Sequence, residues 1–479
     1  MFEGGRISLL RMRWLLSLVL LWAAAAKAQL PPPVAQALAR AGIAETGVGL
    51  FVQDVGAPEP TLVHRGDLPL NPASVMKLVT TYAGLELLGT AHTWVTELYT
   101  DGVTTGNVLT GNVIIKGGGD PKFALEHLWL LARALRAKGV REIRGDLLLD
   151  RTLFTTTHPD PGAFDGEPTQ PYNVTPDALL TNFKSLAFTF TPDEEAKAVR
   201  ITIDPPLRQV EVVNNLTLTE GACGIWYARI KTQAQDTGAN ARITLAGNYA
   251  RSCDEQVTYY SLLGHREYTG ALFAHLWREL GGVFNGRVRD GVASGNAVRV
   301  YAHRSLALSE SIRDINKVSN NVMARQLLLS MGMAGNPGAG PATPERGARA
   351  VQQLFAAKNI NMPELVLENG SGLSRIERVT ARGLGQMLIT AFRGATMPEF
   401  IASMPVVGVD GTMIRRLTNT GVAGQAHVKT GLINGVRALA GYVLDAKGRR
   451  VAVVLLINHP NAHNANAVQD AFLRWVHAR

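Results

Sequence analysis

The sequence predicts an α/β chain of the α+β kind, with one sheet assembled from both ends and a mainly β region inserted between them. Three observations carry this. Val48 to Asp54 reads as a strand near the start of the chain. Val436 to Leu444 and Arg449 to Ile457 read as a hairpin over Asp445-Ala446-Lys447-Gly448, and an amphipathic helix closes the chain at 464–478. Between about 90 and 300 the texture changes to short β-like runs separated by turn signals. At 479 residues the chain exceeds one ordinary core, so two or three domains are expected. A hydrophobic content of 46% with 18% charged residues excludes a disordered chain.

Residues 1–28 read as a cleaved secretory signal rather than as fold. Arg6, Arg11 and Arg13 form a basic start, Trp14 to Leu21 an apolar stretch, and Ala26-Lys27-Ala28 a small-x-small cut before Gln29. The apolar stretch is too short to span a bilayer comfortably, which disfavours an uncleaved anchor. No later segment is apolar enough for a membrane span, so the mature protein is expected to be soluble, and the cleaved signal places it in the periplasm. Cleavage lowers the net charge from +9 to +6, because the segment carries four basic residues and Glu3. That modest basic excess suits an anionic envelope polymer as well as it suits ordinary solubility. No basic run interleaved with aromatics suggests nucleic acid. In an oxidising compartment Cys223 and Cys253 are better read as one disulfide than as two separate thiols. A loop of that size is worth about 3–4 kcal/mol in the chain-entropy picture.

Next along the chain, Asn71 can cap a helix, Pro72 suits its first position and Gly89 stops it. Val75, Leu78, Val79, Tyr82, Leu85 and Leu88 make its apolar stripe, so this is a core helix. The inserted region offers strands at Leu109 to Lys116, Asp146 to Leu149, Leu186 to Thr191, Ala198 to Ile203, Val210 to Val213 and Ile243 to Ala246. Helices interrupt it at 126–138 and 268–280, and 155–176 reads as an exposed loop. After 300, residues 306–333 and 346–358 look helical, and 368–372 is a turn-rich loop.

Three short strings stand in order: Ser74-Val75-Met76-Lys77, Ser319-Asn320-Asn321 and Lys429-Thr430-Gly431. A Ser and a Lys three apart arise by chance roughly once or twice in a chain this long. All three strings in this order form a recognised acyl-transfer set. Ser74 and Lys77 share a helix face, so hydroxyl and amine come within reach. A serine attacks only when a neighbour takes its proton, and a lysine is that base only when neutral. Burial or a second cation, here Lys429, makes it so. Ser319 reads either as a helix N-cap or as a proton relay. Asn321 can hold Lys77 and a substrate amide. Lys429 and Thr430 suit a carboxylate, and Gly431 allows close approach of a backbone. The amide of Leu432, with that of Ser74, is a candidate oxyanion hole. Gly117-Gly118-Gly119-Asp120 lacks a following G-K-[ST] and reads as a tight turn, not a phosphate loop. His459 and His463 are separated by Pro460, which argues against zinc; neither metal nor cofactor is expected.

On these strings the chain resembles the D-alanyl-D-alanine carboxypeptidase/endopeptidase family of low-molecular-mass class C penicillin-binding proteins (peptidase family S13). The resemblance also rests on Gly117 to Pro121, on Gly145-Asp146 through Asp150, on Gly370-Ser371-Gly372-Leu373-Ser374-Arg375, and on the 242 positions between Lys77 and Ser319. It implies a serine β-lactamase/transpeptidase-like catalytic domain at 29–89 and 301–479, an antiparallel sheet flanked by helices. Inserted into it would be one domain at 90–185 and 259–300, with a mainly β domain nested at 186–258. It implies a serine-type hydrolase of D-Ala-D-Ala termini and D,D-cross-links. Ser74 would attack, Lys77 act as base, Ser319 and Asn321 relay and orient, and Lys429 and Thr430 bind carboxylate. Asp150, Phe154 and Arg375 are the residues the resemblance offers for the substrate side chain. Peptidoglycan peptides are the implied substrates and β-lactams the covalent inhibitors. A β-lactamase is the alternative, but it needs a Glu-x-x-Leu-Asn loop, and Glu364 to Asn369 does not supply it. A non-catalytic peptidoglycan-binding protein on the same fold is a further alternative, which the complete motif set opposes.

Overall fold

The computed structural model describes residues 29–155, 160–236, 238–334 and 340–479. The expected signal segment lies outside the described residues. Among the described residues no helix is long and apolar enough to cross a membrane.

Both ends of the chain do build one sheet. Its five strands run in the order Ala426–Ile433, Val436–Leu444, Arg450–Asn458, Val48–Asp54, Leu62–His64, all antiparallel. Val48 pairs with Ile457 and Asp54 with Val451, so the first long strand is an interior member beside the last. Alternation along the strands buries both faces. Phe51, Ala440 and Tyr442 face one core, with the helix Met76–Leu88 and the helices Leu308–Lys317, Asn321–Ala334 and Ala381–Arg393. Leu50, Val52, Leu439 and Val443 face the other, covered by Pro32–Arg40 and Asn466–His477.

The long helix expected over 306–333 is two helices, Leu308–Lys317 and Asn321–Ala334. Between them Ser319 takes a left-handed backbone, φ 62°, which no continuous helix permits. The helix expected from Asn71 also starts later. Ala73–Val75 is a 3-10 turn and the α-helix begins at Met76. Asn71 still organises the entry: its Oδ1 accepts from Ala73 N at 2.8 Å and its Nδ2 donates to Ser374 O at 2.8 Å.

In the inserted region the run Leu109 to Lys116 divides at Gly111 into Val108–Thr110 and Val113–Lys116, which belong to different sheets. Gly111 has φ 152°, and a Cβ there would lie 2.4 Å from Gly102 Cα, so the backbones touch at a place no side chain fits. Ala198–Asp204, Leu186–Asp193 and Gln256–Tyr260 form one three-stranded sheet; Val210–Thr219, Ala241–Ala250 and Ile230–Asp236 form another. One apolar core runs through the insertion, from Leu98 and Leu131 to Phe190, Tyr249 and Trp277. Cys223 and Cys253 are bridged, with Cα atoms 4.7 Å apart.

The segment 174–180 is tied to the helix Asn321–Ala334 by polar and apolar contacts. Gln326 accepts from Asp177 N at 2.9 Å and donates to Asp177 O at 2.8 Å. Val174 and Leu180 pack on Val322. The segment expected as an exposed loop is partly docked: Phe164 packs near Ala73, Ile433 and Val436.

Candidate active site

Ser74 sits in the 3-10 turn just before the helix that carries Lys77. The offset keeps the two side chains together: Lys77 Nζ lies 3.0 Å from Ser74 Oγ. The same ammonium donates to Asn321 Oδ1 at 2.6 Å and to Ser371 O at 2.5 Å. Lys77 is 0% exposed. Burial pushes its pKa well below the ordinary value, Lys429 and Arg325 push the same way, and Glu377 opposes them. A lysine so placed reaches the neutral state that can take a proton from Ser74.

Two glycines let separate segments converge here. A Cβ at Gly431 would lie 2.4 Å from Pro72 O and 3.1 Å from Ser74 N. At Gly372, φ 81°, a Cβ would lie 1.9 Å from Ala73 O. Both press the Ser74 turn between the Lys429-Thr430-Gly431 strand and the 370–375 loop. That loop is held from below. Glu377 Oε1 accepts from the backbone N–H groups of Glu368, Asn369 and Gly370 at 3.2, 3.0 and 3.0 Å. Full burial raises the Glu377 pKa even against those three donors.

Ser319 is not the cap of the helix Asn321–Ala334. Asn320 Oδ1 accepts from Met323 N at 3.1 Å and takes that role. Ser319 instead holds a left-handed backbone, a cost of about 1–2 kcal/mol, and lines one cavity with Ser74. Asn321 uses its carbonyl on Lys77, as expected, but its amide donates to Tyr172 O in the inserted region at 3.1 Å.

Lys429 is also 0% exposed and donates to Thr430 O at 2.6 Å. Burial pushes its pKa down to about 7. Its strand neighbours Thr430 and Leu432 line, with Ser74 and Ser319, a cavity of about 340 Å³. Thr412, Arg416, Arg437 and Gln469 complete most of that lining, and Thr412 and Thr430 hydroxyls are 3.1 Å apart.

The residues offered for the substrate side chain lie elsewhere. Phe154 is 3% exposed and packs with Ala178, Ala342 and Leu329 of the helix Asn321–Ala334. Asp150 is 6% exposed and accepts from Thr152 Oγ1 at 2.6 Å. Neither lines the Ser74 cavity. Arg375 is closer: its guanidinium stacks 4.4 Å above the Phe164 ring and donates to Asn434 O at 3.2 Å.

Ser371 had a place in a motif but no role, and Glu377, Arg416 and Arg437 were missed. Glu377 carries no local signal, since its partners are backbone groups. Arg437 had one: Asn434-Gly435 is a two-residue turn, and counting back from it sets Arg437 opposite Leu432.

Taken together the groups can supply a serine nucleophile, a buried base and a polar cavity for an acyl donor. A profile of the D-Ala-D-Ala carboxypeptidase 3 (S13) family matches residues 32–478. The chain is 28% identical over 444 residues to a D-alanyl-D-alanine carboxypeptidase of Actinomadura sp. (strain R39), covering 88% of this chain and 80% of that one. It is 25% identical over 416 residues to the D-alanyl-D-alanine carboxypeptidase DacB of Haemophilus influenzae, covering 86% and 85%. Its fold matches the crystal structure of penicillin-binding protein 4 from Haemophilus influenzae with a TM-score of 0.77, at 23% identity, over 92% of this chain and 97% of that one. A family match over nearly the whole described length, on a chain that gathers a serine, a buried lysine and their partners in one place, leads to one conclusion: the chain belongs to the D-Ala-D-Ala carboxypeptidase 3 (S13) family and is a serine hydrolase of that class.

Proposed function

We propose that this enzyme cleaves D-Ala-D-Ala termini and D,D-cross-links of peptidoglycan stem peptides through an acyl-enzyme on Ser74. The observation that carries this reading is the contact of a fully buried Lys77 amine with Ser74 Oγ at 3.0 Å. Neutral Lys77 takes the hydroxyl proton as Ser74 Oγ bonds to the scissile carbonyl carbon. The carbon–nitrogen bond then breaks, and Ser319 passes a proton to the departing amine. Water hydrolyses the ester and frees Ser74.

Backbone donors stabilise the oxyanion. Ala426–Ile433 is an outer strand, and Val428 N–H points outward to Pro405 O. Antiparallel pairing alternates, so the N–H of Leu432, four residues on, faces the same open edge. Gly431 brings it beside the Ser74 amide. Two N–H groups directed at one point are worth a few kcal/mol in the transition state.

A relative's structure carries a bound β-lactam, and a strained lactam amide would acylate Ser74 in the same way. A signal peptide at 1–28 would place the enzyme in the periplasm, where its substrate lies. The units 90–185 with 259–300, and 186–258, act in this reading as inserted domains beside the catalytic domain. The role assigned to Asp150 and Phe154 is support for the insertion rather than contact with substrate.

Mass spectrometry after brief benzylpenicillin exposure tests the reading: one adduct on Ser74, absent from Ser74→Ala, is expected. Release of D-Ala from a pentapeptide muropeptide and cleavage of a cross-linked dimer test the two activities separately. An adduct elsewhere, or D-Ala release unchanged in Ser74→Ala, sinks the proposal. Rapid repeated turnover of benzylpenicillin would favour a β-lactamase instead.

A further inference from the structure

A second cavity, of about 530 Å³, takes no part in the proposed reaction yet touches the catalytic motifs. Asn320 lines it together with Pro171. Their chain neighbours Asn321 and Tyr172 are joined by the 3.1 Å hydrogen bond, and Asn321 also holds Lys77. Ser319 lines the Ser74 cavity and Asn320 lines this one, so the two meet at adjacent residues.

Part of its lining is an open sheet face. Ala187 pairs with Asp204 on one side and with Tyr259 on the other, so the three side chains stand in one row on one face. Leu186, Phe188 and Tyr260 point the other way, into the core. Tyr259 is 55% exposed, an aromatic ring left to water. Neighbouring strands lie about 4.8 Å apart, which sets ring and carboxylate roughly 10 Å from each other with only the Ala187 methyl between them. Once atomic radii are taken off, that slot is about one saturated ring thick.

The polar groups there are unspent. Among the described residues the Asp204 carboxylate meets neither a cation nor a hydrogen-bond donor. Asn320 Oδ1 accepts from Met323 N at 3.1 Å, while its Nδ2 meets no acceptor among the described residues. Among those residues no Lys, Arg or His lines the cavity, which excludes a phosphate or carboxylate as its ligand. The backbone beside it is strained. Asn182, Phe183 and Lys184 all take left-handed φ, 47°, 53° and 52°, unfavourable for each of these residues. Asn182 pins the turn, accepting from Leu125 N at 3.3 Å and donating to Tyr268 Oη at 2.9 Å, and Phe183 packs on Val174, Leu180 and Val322. Strained backbone of this kind gathers at ligand sites.

We propose that this cavity is a sugar subsite, taking an N-acetylated pyranose of the glycan strand that bears the stem peptide. The CH face of the ring lies on Tyr259, its hydroxyls donate to Asp204, and the acetamido carbonyl accepts from Asn320 Nδ2. The volume is ample for one such ring with its substituents. That sugar and scissile bond belong to one molecule rests on the Ser74 reading. A four-residue stem reaches about 14 Å when extended, enough to pass from one cavity to the next. Glycan held here brings its own peptide to Ser74, so peptide still attached to sugar is the favoured substrate.

Titration of the full chain with the peptide-free N-acetylglucosamine tetramer reads the subsite without turnover. Saturable binding is expected in wild type, weakened about fivefold or more in Tyr259→Ala and in Asp204→Ala, and kept in Tyr259→Trp, which still offers a ring. A wild type that does not bind the tetramer, or equal binding by all variants, overturns the inference. A second measurement compares D-Ala release from a disaccharide-linked pentapeptide and from the same pentapeptide without sugar. Wild type should favour the linked substrate by about fivefold or more, chiefly in KM. Tyr259→Ala should lose that preference and act on the bare peptide within about twofold of wild type, which also shows that it is folded. No preference in wild type, or one that survives Tyr259→Ala, overturns this inference alone. A wild type that releases no D-Ala and takes no penicillin adduct on Ser74 removes the Ser74 reading, while tetramer binding that depends on Tyr259 would still support the subsite.

Discussion

Asn321 links the inserted region to Lys77: its Oδ1 accepts from Lys77 Nζ at 2.6 Å while its Nδ2 donates to Tyr172 O at 3.1 Å. One side chain therefore holds both the buried base and the 3-10 turn Pro171–Asn173. Asn321→Ala should lower acylation by penicillin about tenfold to a hundredfold, the worth of a hydrogen bond to a charged group. Asn321→Asp should act differently. A new carboxylate beside Lys77 would raise its pKa, so the acid limb of the acylation rate should move to higher pH. The groups already facing that amine are Lys429, Arg325 and Glu377. A limb that stays in place or moves down would contradict the assignment of Lys77 as base.

Gly431→Ala should disturb the site without touching any charge. Its new Cβ would lie 2.4 Å from Pro72 O, and backbone cannot yield as a side chain can. A cost of about 1–3 kcal/mol in stability is expected from overpacking. Penicillin acylation should slow at least tenfold, because the Ser74 amide is pushed from the strand. Denaturant midpoints and acylation rates measured on the same sample check both effects.

Lys429 should leave a signature in stability against pH. Its folded pKa is about 7, below its ordinary 10.5. Below 7 the folded and unfolded states both hold the proton, and the full cost of burying it is felt. Between 7 and 10.5 only the unfolded state is protonated, so stability rises with pH, by at most about 1.4 kcal/mol per pH unit. Lys429→Met should flatten this rise. Urea midpoints at pH 7, 8 and 9 would decide it; parallel curves for the two proteins would refute the expectation.

Asp120 should behave in the opposite sense. It is buried, one oxygen accepts from Lys122 N at 2.8 Å, and the other meets no partner among the described residues. Burial raises its pKa to about 6, against weaker help from Lys122 and His127. The folded state therefore holds this proton more tightly than the unfolded one. Its contribution is fully present below 3.8 and is lost as pH rises through 6. Asp120→Asn should stabilise the protein at pH 8, by at most about 3 kcal/mol, and not at pH 4. Thermal melts at those two values measure the difference.

Local pattern made much of the fold readable. The hairpin of Val436–Leu444 and Arg450–Asn458 shows in its apolar runs, and its turn is closed by Asp445 Oδ1 accepting from Lys447 and Arg449 N–H. The helices near 126 and 268 appear within a few residues of their expected limits. What failed were places where a backbone special cuts a continuous apolar run. Ser319 splits a helix by taking φ 62°, and Gly111 splits a strand where another backbone touches it. Propensity carries no term for either, since each depends on a distant neighbour.

Candidate chemistry was readable by a different route. Ser74, Lys77, Ser319, Asn321, Lys429 and Thr430 were singled out by residue type and spacing; Ser74, Ser319 and Thr430 line one cavity, Lys77 bonds Ser74 and Asn321, and Lys429 bonds Thr430 O. Phe154 was singled out on looser grounds and proves to be core. A large aromatic at a joint between domains is removed from water by whatever packs there, and no spacing rule reports that.

By itself the sequence determined which side chains are present, in what order, and which short stretches favour strand or helix, because those properties act over a few residues. Only the tertiary structure decided that Lys77 and Lys429 lose their contact with water and that Arg437 stands opposite Leu432. The ionisation and partnership of a charged group depend on what surrounds it in space, and those surroundings come from segments as far apart as Lys77 and Ser371, which are 294 residues distant along the chain.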